Sequence, residues 1–171
     1  MKKVFIILCS LAVMITACKK NNEPEQKDYT PNYVGNYLGQ FSLTITSMNN
    51  QPQSSLTFPI DGIKMDIAKG EKLNAITATV TVEDESHQAP GTATAEKADF
   101  EAIHLTIDKP DQNYSFNLDL KMEGTKAEND TLNITGTFGG NGKMTVPTPQ
   151  GMQEMVFDEV SGNITGKLAK Q

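Results

Sequence analysis

Residues 114–123 read YSFNLDLKME. Tyr114, Phe116, Leu118, Leu120 and Met122 alternate with Ser115, Asn117, Asp119, Lys121 and Glu123. Successive side chains of an extended chain point to opposite faces, so this stretch is a strand with one apolar and one wet face. A helix would need its apolar residues three and four apart, and they are two apart.

The same rhythm runs outward in both directions. Thr131–Phe138 sets Leu132, Ile134, Gly136 and Phe138 against Thr131, Asn133, Thr135 and Thr137. Asn36–Thr46 carries Phe41, Leu43 and Ile45 on one side. Further runs are Ile63-Met65-Ile67, Ile76-Ala78-Val80-Val82, Ile103-Leu105-Ile107 and Val160-Gly162-Ile164-Gly166-Leu168. Clusters of Gly, Pro, Asn and Asp divide them: MNNQPQ, AKGEK, DESHQAPG, DKPDQN, EGTKAEND, GGNG and PTPQG. No helical period follows residue 17. The pattern predicts an all-β body of about 8–10 antiparallel strands joined mainly by short loops. Sequential hairpins favour an up-and-down meander, and closing it into a barrel removes exposed edges. A two-sheet sandwich is the alternative. A membrane-spanning barrel would carry aromatic girdles, and the chain has no Trp and four Tyr.

The N-terminus has another character. Lys2 and Lys3 precede Val4–Ala17, an apolar run broken only by Ser10 and Thr16. The run is shorter than the roughly 20 residues of a spanning helix and reads as an export signal over residues 1–17. Ile15-Thr16-Ala17-Cys18 resembles the bacterial lipobox. That resemblance implies a diacylglycerol on the Cys18 thiol and cleavage just before it. Cys9 leaves with the signal, so no disulfide or free thiol is expected in the mature chain. Residues 18–32 follow as a polar, proline-containing stretch that reads as a flexible tether, and residues 33–171 form the single domain. Lys19 stands where an aspartate would resemble an inner-membrane retention signal, so the outer membrane is expected, at its periplasmic or surface face.

Every basic residue is lysine, and the full chain carries a net charge of −6. Losing Lys2 and Lys3 leaves 13 lysines against 21 acids, a net −8. A nucleic-acid binder needs a basic face, and none is visible.

The domain opens with Gly35-Asn36-Tyr37-Leu38-Gly39, contains LNITGTFGGNGKMTV and closes on Val160-Ser161-Gly162-Asn163-Ile164-Thr165-Gly166. With the lipobox and tether, it resembles the calycin-like β-barrel lipoproteins of the Bacteroidetes. Lipocalins proper have Gly-x-Trp at this opening, where this chain has Tyr37. The resemblance implies an eight-stranded type of barrel with an interior ligand site, and it brings no site residues with it.

No cluster of residues in the sequence carries a strong catalytic or metal-binding signature. His87, in a loop beside Pro90 and Gly91, and His104, on a polar strand face, lack the converging partners of a zinc or nucleophile site. Asp108–Asn113 offers oxygen ligands without the glycine and distal glutamate of a calcium loop and reads as a proline turn. Gly136–Lys143 fails the phosphate-loop spacing and reads as a hairpin turn. Met152 and Met155 read as core filler. Asp130-Thr131-Leu132 resembles a short bacterial O-glycosylation pattern at Thr131, and reads equally well as a turn entering a strand. No cofactor, metal or catalytic residue is expected. The expected function is a lipid-anchored envelope protein whose barrel holds a small apolar or amphipathic ligand. The alternative is a structural lipoprotein that docks an envelope protein or glycan.

Overall fold

The computed structural model describes residues 26–171, so Cys18, the signal and the start of the tether lie outside the described residues. The alternating runs become strands β1 (Gly35–Met48), β2 (Gln51–Lys69), β3 (Ala75–Val82), β4 (Glu85–Ala93), β5 (Ala98–Phe100), β6 (Ile103–Lys109), β7 (Tyr114–Lys126), β8 (Thr131–Thr148) and β9 (Gly151–Lys170). Two 3-10 turns, Thr30–Asn32 and Pro110–Gln112, complete the described elements.

The sheet is antiparallel and closed. β1 pairs with both β2 and β9, with Leu43 opposite Ile164. The ring shuts where β5 meets β7, with Ala98 opposite Gly124. β6 continues along the same strand, with Ile103 opposite Leu120. One extra residue separates the two registers, so β5 and β6 act as one interrupted stave and the barrel has eight. The sandwich alternative falls, because a sandwich leaves edges that this ring joins.

Period two explains the packing. On β6, Ile103, Leu105 and Ile107 are buried while His104, Thr106 and Asp108 are exposed. On β7, Tyr114, Phe116, Leu118, Leu120 and Met122 all face the lumen. Phe41, Ile63, Val80, Leu120 and Ile164 are completely buried in one continuous core. Burying each such side chain contributes roughly 1.5–3 kcal/mol.

Four expectations change. GGNG is not a hairpin turn, because β8 runs straight through it. Its glycines make room: a Cβ on Gly142 would lie 2.1 Å from Phe116 Cδ1. In the same way a Cβ on Gly166 would lie 2.5 Å from Phe41 Cδ1. His87 lies not in a loop but in β4, which absorbs most of DESHQAPG and leaves only Glu83 and Asp84 to turn. Met152 and Met155 are exposed, whereas Met48, Met65 and Met122 are core.

The fourth change concerns the tether. Its last residues, from Asp28, pack against the barrel. Asp28 accepts a hydrogen bond from Lys69 Nζ at 2.5 Å, and the Tyr29 amide donates to Asn74 Oδ1 at 2.7 Å. Thr30 and Tyr33 are almost fully buried, and the Tyr37 hydroxyl donates to the Tyr33 carbonyl at 2.8 Å. Together with the β2–β3, β4–β5 and β7–β8 turns, this segment closes one end of the barrel.

Candidate functional site

The other end is built differently. The β2–β3 ladder stops at Lys64–Thr81, and the β7–β8 ladder stops at Tyr114–Met144. Beyond those points two arms continue: the β1–β2 hairpin, whose β1 stays laddered to β9 as far as Met48–Val160, and the two-stranded β8–β9 hairpin. Asn49 and Asn50 turn the first arm with φ values of 48° and 60°, as a tight two-residue hairpin requires. The arm is latched to β9, since the Asn49 amide donates to the Glu159 carbonyl at 2.6 Å and Asn50 Nδ2 to Glu159 Oε2 at 2.8 Å.

A bulge then fills the mouth between the arms. From Gly39–Ile63 to Phe41–Ile60, β2 holds one extra residue, and Gly62 there takes a φ of +70°. Such a bulge bends its strand. β2 swings inward and carries Phe58 across the lumen to β7. The Phe58 ring lies 5.1 Å from Tyr114 and 5.8 Å from Phe116, tilted about 60° to both. Tilted aromatic contacts of this kind favour a fixed ring position. Phe58 remains half-buried, whereas Tyr114 and Phe116 beneath it are buried. Burial raises the Tyr114 phenol above its ordinary pKa, so it stays neutral.

Below Phe58 lies the apolar space of the barrel, lined by Leu43, Ile45, Ile60, Ile107, Leu118 and Phe138 among others. Its free volume is about 10 Å³, enough for one water at most. Small-molecule pockets usually span about 300–1,000 Å³. The lumen is therefore full as it stands, and a guest has to displace a side chain. Phe58 is the ring placed to yield, being half-exposed and hung from a bulged, singly paired strand.

The residues singled out in the sequence fall apart in space. His104 is exposed on β6 and pairs with Asp119 at 3.0 Å. Asp108 and Asn113 line an open cleft of about 220 Å³ outside the mouth, beside Lys143 and Glu154. Among the described residues no three His, Cys, Asp or Glu side chains converge as a metal would need. Thr131 is half-buried and lines a shallow outer hollow of about 400 Å³ with Leu38, Lys167 and Ala169. His87 faces inward from β4, and its Nε2 is buried without a hydrogen-bond partner. Phe58 escaped sequence reading. Its only signal was LTFPIDG, an aromatic before a proline and an Asp-Gly pair, which marks a bent strand as much as a loop.

The fold and site define a closed eight-stranded antiparallel β-barrel, sealed at its N-terminal end and plugged by an aromatic ring at the other. No family model matches the chain, and no curated protein does. Among solved structures it is similar to an auxiliary nutrient binding protein from Bacteroides thetaiotaomicron, at 10% identity, over 79% of this chain and 46% of that one. The chain thus spans about half the length of that neighbour. The TM-score is 0.24, too low for the likeness to carry fold or function.

Proposed function

We propose that this is a non-catalytic, calycin-like binding barrel, moored to the outer membrane through a lipid on Cys18. It takes a small amphipathic ligand at its arm end. The observation that supports this reading is the asymmetry of the lumen. One end is sealed by buried Thr30, Tyr33 and Tyr37, while the other is stopped by the single half-exposed ring of Phe58. A ligand whose apolar part replaces that ring recovers its contacts with Tyr114 and Phe116.

Two measurements test the reading. The unlipidated Cys18→Ala chain, titrated calorimetrically with 1-octanol, octanoic acid and octylamine, should show saturable one-to-one binding of at least one of them. Phe58→Ala should tighten it. No saturation in either form would end the ligand reading. In cells, Cys18→Ala should leave the membrane fraction while its purified form keeps a cooperative melt.

A second reading rests on the β8–β9 arm. Met152 and Val156 are each 61% exposed there, a feature that fits docking to an envelope protein or glycan. Crosslinking from the arm in whole cells that recovers lipid alone would remove it.

A further inference from the structure

Around the ring, neighbouring staves hold each other by backbone ladders except in one place among the described residues. β4 pairs with β5 only at Gly91–Ala93, and the Glu101 amide donates to the Pro90 carbonyl at 2.7 Å. Above that bond, Glu85–Ala89 and Ile103–Lys109 run side by side with no ladder. At the top, Lys109 of β6 forms an ion pair with Glu83 in the β3–β4 turn. The wall therefore has a lateral seam, tied below by backbone and above by a side-chain clamp.

His87 stands in that seam. It lies opposite Val80 and faces the lumen, with its side chain 23% exposed. Its Nε2 is the one buried side-chain nitrogen or oxygen among the described residues with no hydrogen-bond partner. Glu85 Oε2, the nearest carboxylate, is 3.8 Å away, beyond hydrogen-bond range. A buried polar atom left unmatched destabilises a fold, and natural structures keep few of them. Leu118, opposite Leu105 on β7, and Ile107 on β6 both line the apolar space under Phe58. His87 and that space are thus reached from the same seam.

We propose that the seam is the ligand's lateral way in, and that His87 Nε2 holds a hydroxyl group on it. This rests on the amphipathic-ligand reading above and names the head group. A hydroxyl both donates and accepts, so it suits either imidazole tautomer. A carboxylate head would face Glu85. An ammonium head would have to shed its water beside Leu105 and Ile107, which costs more than burying a neutral group. With the hydroxyl at His87, the methylenes that follow lie against Ile107 and take the place of Phe58.

The test uses the three octyl probes and four proteins: the unlipidated chain, His87→Leu, His87→Gln and Lys109→Gln. The parent should prefer 1-octanol over octanoic acid and octylamine by at least tenfold. His87→Leu should erase that preference and raise the melting midpoint, since it removes an unmatched polar atom. His87→Gln, which keeps a polar group there, should restore part of the preference. Lys109→Gln should speed association several-fold by loosening the clamp. Equal binding of all three probes, unchanged in His87→Leu, would overturn the role of His87 while leaving the amphipathic reading intact. An unchanged association rate in Lys109→Gln would overturn the lateral route. No binding of any probe, even to Phe58→Ala, would bring down the inference together with the reading beneath it.

Discussion

The two ends of this barrel solve the same problem in opposite ways. At the N-terminal end, a short polar segment folds back, and Thr30, Tyr33 and Tyr37 seal the lumen beneath a network of backbone and side-chain bonds. At the arm end, the ladders stop early and one bulged strand drops Phe58 into the opening. The sealed end is over-determined, with burial, capping hydrogen bonds and ion pairing all agreeing. The plugged end depends on one ring from a strand paired on one side only. Stability is concentrated where many interactions agree, and freedom to change is left where few do.

The difference is open to direct challenge. Phe41, completely buried in the body against Gly166, should be the costliest of these positions. Phe41→Ala should remove about 3–5 kcal/mol of stability in urea melts. Phe58→Ala should cost less than half as much, because part of its ring already faces water. If the two cost the same, the mouth belongs to the rigid body and the comparison fails.

The clasp at the sealed end adds a pH signature. The hydrogen bond from Lys69, helped by those from Thr30, lowers the Asp28 carboxyl pKa to about 2. A depressed carboxyl contributes stability that is present above its ordinary titration range and lost as pH falls through the folded value. The melting midpoints of the parent and Asp28→Asn should therefore differ at pH 7 and converge as pH falls toward 2. A gap that persists unchanged at pH 2 would detach Asp28 from the clasp. The smallest effect is expected on the β8–β9 arm, where Met152→Ser and Val156→Thr should each shift stability by no more than about 0.5 kcal/mol. A larger loss would mean that the arm packs against the body in solution.

Most of the ring was legible because burial on one face forces period two onto the sequence, as β7 and β6 show without exception at their inward positions. What escaped had physical reasons. Gly142 read as a turn residue because a glycine's purpose can lie across the sheet, under a phenyl ring no local window contains. Pro90 argued against a strand through His87. It is tolerated because only its carbonyl is needed at the seam, where it accepts from Glu101. The tether's last residues looked too polar to pack, yet Asp28 and Thr30 are held by partners tens of residues away or by each other. The site was less legible than the fold. An unmatched histidine nitrogen and a ring crossing the lumen are relations between distant strands, and alternation carries no record of them.

The pairing of Leu43 on β1 with Ile164 on β9 has a kinetic consequence. The first stave cannot complete its two ladders until the last has been made, which gives the fold a high contact order and a slow closing step. A chain delivered N-terminus first would carry an unfinished edge on β1 for the whole of its delivery. Such edges invite wrong partners. The moment of greatest risk for this fold is therefore just before the twenty residues of β9 arrive.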